Sequence, residues 1–221
     1  MNVADRVERP RSRSREFTTW TAAEVRAFLD ARREDRLYAL WTTLATTGLR
    51  RGEALGLRWR DVDLDAGRAS IVQQVTSVDC RIVVGEVKTR AGRRAVALDP
   101  ETVAILKRWK ARQGEERLAW GPDYQDSGLV FTREDGQVLH PDLIRRMFDR
   151  HVKAAGLPKV RLHDLRHGWA TLALAAGVHP KVVQERLGHA NISITLNTYS
   201  HVAAGMQEEA AARVAGLVFG S

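Results

Sequence analysis

Apolar residues recur about every three to four positions along most of the chain, and this spacing predicts a mainly helical fold. Residues 21–24 form a capping box, which predicts the start of an amphipathic helix that ends near Arg33. A second helix is predicted over residues 36–46, with Gly48 ending it in the C-terminal capping position. Asp99 before Pro100 marks another helix start. Further helices are predicted over residues 51–57, 141–155, 163–176, 180–187, 192–199 and 201–218.

The segment between residues 69 and 98 has a different pattern. Runs rich in β-branched residues, at 69–75, 81–86 and 94–98, are separated by turn residues and predict an antiparallel meander. A turn is expected over residues 61–67 and a short strand over 129–131. The predicted fold class is therefore α+β and mainly α-helical, with a small three-stranded antiparallel sheet.

The composition of the chain indicates which kind of partner it binds and which cellular compartment it occupies. The 35 basic residues exceed the 27 acidic ones and give a net charge of +8, which favours a polyanion such as nucleic acid, with a merely solubilising surface as the alternative. Cys80 is the only cysteine, which excludes an internal disulfide. Because no apolar run is long enough for a membrane span or a signal peptide, we expect a cytoplasmic protein. The arginine-rich residues 1–17 predict a flexible basic linker or arm before one domain over residues 18–221.

Three ionisable residues share one face of the helix predicted to begin at His163. At about 100° per residue, His163, Arg166 and His167 fall within an arc of about 100°, opposite an apolar stripe. We expect the stripe to be buried and these three residues to face outward, either as a functional group or as an ordinary polar surface. Histidines at i and i+4 also suggest zinc, but the charge of Arg166 and the short Asp164 argue against a metal.

Candidate residues also occur outside this helix. Arg50 follows the helix stop at Gly48, and Glu53 is expected to orient it by an ion pair across one helical turn. Arg51 competes with Arg50 for the same role. Lys88 ends the second predicted strand and on its own is a generic basic turn.

Tyr199 lies ten residues after His189, and its phenol is a candidate nucleophile. A phenol has a pKa of about 10, so it attacks phosphorus well only with help from a base or a positive field. Two guanidinium groups can bind the phosphate oxygens, a lysine can protonate the leaving oxygen, and a histidine can accept the phenol proton. These residue types together fit the breakage and resealing of a phosphodiester without metal or nucleotide.

The chain resembles the catalytic domain of the tyrosine recombinases, the phage integrase family. The motifs at residues 47–53, 87–94, 163–167, 187–189 and 199–201 occur in family order across about residues 18–203. The resemblance implies six catalytic residues: Arg50, Lys88, His163, Arg166, His189 and Tyr199. In this scheme the arginines clamp the scissile phosphate and the lysine is the leaving-group acid. The first histidine transfers a proton, the second hydrogen-bonds the phosphate, and the tyrosine forms a 3′-phosphotyrosine.

The same resemblance implies a site-specific DNA recombinase that integrates and excises mobile DNA, with no cofactor and no membrane partner. The implied partner is double-stranded DNA carrying a recombination site. The expected assembly is a homotetramer on DNA. A monomer without DNA is compatible with this expectation, and so are accessory DNA-bending proteins. The family's N-terminal core-binding domain is not expected within these residues, and the tail at 202–219 either docks on a neighbouring protomer or packs on its own domain. The alternatives are relaxation of DNA in the manner of a type IB topoisomerase, and a catalytically silent DNA-binding module.

Overall fold

The structure, a computed structural model, describes residues 18–87, 89, 91–198 and 206–220. Its α-helices are α1 (Ala22–Asp30), α2 (Tyr38–Thr47), α3 (Arg51–Leu55), α4 (Pro100–Trp120), α5 (Pro141–Ala154), α6 (Asp164–Ala175), α7 (Pro180–Leu187), α8 (Ile192–Thr198) and α9 (Met206–Phe219). Its strands are β1 (Val62–Asp63), β2 (Arg68–Ile71), β3 (Gln73–Val78), β4 (Arg81–Glu86) and β5 (Arg94–Ala97). The mainly helical α+β fold predicted from the sequence is therefore confirmed.

Local signals placed the helix ends well. The Thr21 hydroxyl accepts a hydrogen bond from the backbone N–H of Glu24, and the Glu24 carboxylate accepts one from the backbone of Thr21, so the predicted capping box is present. Gly48 has a φ of 70° and ends α2 in the left-handed region, where glycine has no Cβ to clash. These two ends fix the direction in which the chain enters and leaves the α1–α2 pair.

The strands pair differently from the predicted meander. The predicted first strand is divided near Val72, so that β2 pairs antiparallel with β1 and β5, while β3 pairs antiparallel with β4. Ala69 and Ile71 of β2 and Val75 of β3 are buried in the core, whereas every residue of β4 is exposed. The expected turn over residues 61–67 contains β1, and the expected strand at 129–131 is reduced to an isolated bridge between Arg58 and Leu129.

An aromatic core anchors α2 beneath the functional region. The Phe28 ring lies 5.2 Å from that of Trp20 and 5.3 Å from that of Phe148, and Trp41 of α2 completes the cluster. Fully burying one such side chain stabilises the fold by about 1.5–3 kcal/mol, so α2 is held firmly along its length. Its C-terminal end, at Gly48, is thereby a fixed platform for the residues that follow. Among the described residues, no helix is both long and apolar enough to cross a lipid bilayer.

Candidate active site

The carboxylate of Glu53 lies at the centre of a group of three arginines. Its side chain is 1% exposed and lies 2.7 Å from Nη1 of Arg50, 2.8 Å from Nη2 of Arg94 and 4.0 Å from Nη1 of Arg166. Burial opposes ionisation, but the hydrogen bonds and charges of Arg94 and Arg50 outweigh it and lower the pKa of Glu53. One anion therefore holds three cations. This group, called the Glu53 cluster below, keeps a net positive charge that suits a second anion.

Arg50 is the cluster's exposed member. It precedes α3, its backbone N–H donates to Glu53 at 2.9 Å, and 38% of its side chain is exposed. The predicted ion pair with Glu53 across one helical turn is thus present. Its sequence competitor, Arg51, turns away and donates to the carbonyl of Pro141 at the start of α5. The structure therefore places Arg50, and not Arg51, in the cluster.

The position of Arg166 differs from the one predicted from the spacing of about 100° per residue along α6. The sequence predicts it on an outward face of α6, yet only 3% of its side chain is exposed. Its Nη1 donates to the carbonyl of Gly48 at 2.8 Å, and its Nη2 donates to the carbonyl of Leu187. These carbonyls end α2 and α7, and helix C-termini carry partial negative charge that attracts a guanidinium. The face of α6 that carries Arg166 is buried because it fills the junction of two helix ends.

His163 and His167 border the cluster on the same helix, with ring centroids 5.1 Å apart in an edge-to-face arrangement. His163 is exposed, as predicted, and His167 is half-buried. Desolvation, followed by the charges of His167 and Arg166, lowers the pKa of His163 to about 4. Desolvation also lowers the pKa of His167, against the opposing effect of Asp164. Both imidazoles are therefore neutral at pH 7, and a neutral imidazole can accept a proton.

His189 approaches the cluster from the end of α7. Gly188 ends that helix with a φ of 65°, and the Nδ1 of His189 lies 2.9 Å from the hydroxyl of the buried Thr195 on α8. Desolvation, together with the charges of Arg166 and Arg50, lowers the pKa of His189 to about 4. The bond to Thr195 fixes the ring, so that a neutral and oriented imidazole lies beside the arginines.

Two of the six predicted catalytic residues, Lys88 and Tyr199, lie outside the described residues. Their immediate neighbours are described: Val87 donates its backbone N–H to Val72, and α8 ends at Thr198. The structure therefore brings Arg50 and Arg166 together at Glu53, with His163 and His189 near enough for their pKa values to be lowered by both arginines. The positions of the lysine and the tyrosine stay predictions.

Sequence reasoning did not single out Arg94, which the structure places inside the cluster with 8% of its side chain exposed. A usable signal was present in the sequence. Side chains alternate across a strand, so Arg94 shares a face with Val96 and Leu98, and both are buried apolar residues. An arginine on the inward face of a strand needs a buried anion, and Glu53 supplies it.

A basic groove leads away from Arg50 and His163. Thr76 and Ser77 of β3 line it on one side, and among the described lining residues Asp149 is the single acidic one. The cationic residues along it are Arg51, Arg145, Lys159 and Arg161. Within the part of the chain that the structure describes, no group of three or more histidine, cysteine or acidic residues could hold a metal ion. The site as described thus offers hydrogen-bond donors, positive charge and neutral imidazoles.

Comparisons with known proteins agree with this geometry. Residues 19–206 match the model of the phage integrase family. A XerC-like tyrosine recombinase of Caldanaerobacter subterraneus subsp. tengcongensis is 34% identical over 199 residues, which is 85% of this chain and 51% of that protein. The chain spans about half the length of the curated relatives it matches.

Solved structures share the fold. The Tn1549 transposon integrase, in complex with transposon right end DNA, has a TM-score of 0.74 and 24% identity over 95% of this chain and 70% of that one. The XerH site-specific recombinase, in a pre-cleavage complex with difH substrate, has a TM-score of 0.65 and 28% identity over 89% of this chain and 54% of that one. Because the family model covers most of its length, the chain belongs to the phage integrase family.

Proposed function

We propose that this chain is the catalytic domain of a tyrosine-type site-specific DNA recombinase, which breaks and rejoins DNA through a 3′-phosphotyrosine on Tyr199. The observation that carries the proposal is the Glu53 cluster, where Arg50 and Arg166 lie beside the neutral imidazoles of His163 and His189. Guanidinium donors and neutral imidazoles in one place are what an in-line attack on a phosphodiester needs.

The arginines bind the scissile phosphate in this proposal. Arg50 uses Nη1 on Glu53 and, within the described part of the chain, makes no further side-chain hydrogen bond, so its other donors remain for a phosphate oxygen. Arg166 is anchored by carbonyls on both sides and supplies a fixed positive charge from beneath. Donors that are already oriented stabilise the charge of the pentavalent transition state without reorganising during the reaction.

Proton transfers complete the step. The phenol oxygen of Tyr199 bonds to phosphorus while the bond to the 5′ oxygen breaks; the phenol proton passes to His163, and Lys88 protonates the departing oxygen. A bound phosphate raises the pKa of nearby imidazoles, because an opposite charge favours their protonated form, so DNA itself makes His163 a better base. His189 donates a hydrogen bond to the phosphate. The reverse reaction, with the 5′ hydroxyl of a partner strand, reseals the DNA and needs no external energy source.

The proposed partner is double-stranded DNA with a recombination site, and the proposed assembly is a homotetramer on two such sites. Support comes from the basic groove beside Arg50 and from the net charge of +8. The helix α9 exposes Val214, Leu217 and Phe219, which suits docking of the tail on a neighbouring protomer. The proposed location is the cytoplasm, and the proposed role of residues 1–17 is that of a basic linker or arm.

The test is covalent capture on a nicked suicide substrate that carries the cognate core site, using the full-length protein. The intact protein is expected to form a DNA adduct that resists denaturant, Tyr199→Phe to form none, and the matched control Tyr124→Phe to form it normally. An adduct that survives Tyr199→Phe contradicts the proposal.

Two further measurements distinguish the proposed recombinase from the two alternative functions. Efficient relaxation of a supercoiled plasmid that lacks the site, by the monomer, would favour a type IB topoisomerase. DNA binding by the intact protein without any adduct would favour a silent binding module.

A further inference from the structure

Arg94 has no role in the mechanism proposed above, yet it makes several hydrogen bonds with residues of the candidate site. Its two Nη atoms bind the two oxygens of Glu53 at 3.1 and 2.8 Å, a forked arrangement. Its Nε donates to the carbonyl of Arg186 at 2.5 Å, and Nη1 also donates to the carbonyl of Gly92 at 3.0 Å. With 8% of its side chain exposed, Arg94 directs its donors into the protein, so it acts on other groups and not on DNA.

These contacts join separate parts of the fold. Glu53 belongs to α3 and orients Arg50, whereas Arg186 lies on the last turn of α7, three residues before His189. The packing is close: a Cβ on Gly188 would lie 3.0 Å from Nη1 of Arg94 and 2.7 Å from the carbonyl oxygen of Ala91. Arg94 thus ties the arginine side of the site to the end of α7, in addition to the contacts that Arg166 makes with the ends of α2 and α7.

Resting on the proposed recombinase function, we propose that Arg94 is a positioning residue that fixes Arg50 and His189 relative to each other through Glu53 and the end of α7. A lysine at this position keeps the charge, but its three donors diverge from one nitrogen and cannot form the parallel fork that the guanidinium makes on the two carboxylate oxygens. The fork, and not the charge alone, therefore carries the role.

The chain offers a matched control in Arg36. It forms a comparable fork on Glu116, at 2.7 and 2.6 Å, and donates Nη1 to the carbonyl of Thr132 at 2.9 Å. Its described contacts are with residues outside the candidate site. Arg36→Lys therefore removes a similar fork and a similar carbonyl contact without touching the site.

The main experiment measures single-turnover cleavage of the suicide substrate, DNA affinity and urea unfolding for Arg94→Lys and Arg36→Lys in the full-length protein. For Arg94→Lys we expect cleavage to slow by about 10- to 100-fold, as when a reacting group is misplaced, while the Kd for DNA changes less than about threefold. Arg36→Lys is expected to cleave at the wild-type rate with a similar loss of stability. Cleavage by Arg94→Lys within about twofold of wild type, or slowed only as much as binding is weakened, would overturn the proposal.

A second readout does not depend on catalysis. Desolvation lowers the pKa of His189 most, and the positive charges of Arg166, Arg50 and Arg94 lower it further. NMR titration of the DNA-free protein is expected to show a raised pKa for His189 in Arg94→Gln, and an unchanged pKa for the remote His151.

An unchanged pKa of His189 in Arg94→Gln would count against the positioning role, even if no protein variant cleaved DNA. If wild type forms no adduct while His189 responds as expected, the recombinase proposal fails and the link from Arg94 to His189 stands. The conservative Arg94→Lys keeps the cleavage test usable if Arg94→Gln does not fold.

Discussion

Replacing Glu53 with glutamine should destabilise the protein strongly, because it removes the shared anion of the cluster. The side chains of Arg94 and Arg166 are 8% and 3% exposed, so the variant removes the negative charge of the carboxylate that faces two buried guanidinium groups. Removing one partner of a buried ion pair costs about 3–5 kcal/mol in the free energy of unfolding. For a domain of this size, that loss corresponds to a fall in Tm of about 6–20 °C.

Urea unfolding at pH 7 measures the effect, with Glu116→Gln as the control. Glu116 and its partner Arg36 are 14% and 16% exposed, so water screens the remaining charge better and the loss should be smaller. The pKa of Glu53 is lowered from 4.5, so its ionised form stabilises the fold above that pH. The difference between wild type and Glu53→Gln should therefore shrink as the pH falls below about 4.5. A Glu53→Gln protein as stable as wild type within about 0.5 kcal/mol would refute this account of the cluster.

Three further predictions concern the same region. Gly48→Ala should cost about 2–5 kcal/mol in urea unfolding, because a Cβ would lie 2.9 Å from the ring of Trp169 at a φ of 70°; Gly177→Ala, with a φ of 79° and open space, should cost only about 1–2 kcal/mol. Thr195→Val removes the hydroxyl that orients His189, so single-turnover cleavage should slow about 2- to 10-fold with DNA affinity unchanged, and an equal loss in both would contradict that role. The pKa of His189 is about 4 in the folded protein and about 6.5 when unfolded, so the unfolded chain binds more protons between these values. Stability should then fall as the pH drops from about 6.5 to about 4, and His189→Asn should flatten that slope in unfolding measured across this range.

Features that depend on neighbouring residues were predictable from the sequence. The capping box at residues 21–24 and the stop at Gly48 are set by a few adjacent residues, and both occur where predicted. The pair between Arg50 and Glu53 spans one helical turn and was predictable for the same reason. Family motifs then indicated which of these local features belong to one site.

Features that depend on distant segments were not predictable in this way. The burial of Arg166 requires the ends of α2 and α7 to meet, which no helical wheel of α6 contains. The pairing of β2 with β5 likewise joins segments that the β3–β4 hairpin separates along the chain. Arg94 combines both effects, because its inward direction is local while its anion, Glu53, lies 41 positions away.

The central claim, that Tyr199 is the nucleophile, is tested most directly by locating the modified residue. The chain contains three tyrosines, so proteolysis of the trapped adduct followed by mass spectrometry can assign the attached nucleotide to one of them. The account predicts a nucleotide on the peptide that contains Tyr199, linked through a 3′ phosphate. A nucleotide on Tyr38 or Tyr124, or a linkage through the 5′ phosphate, would contradict it.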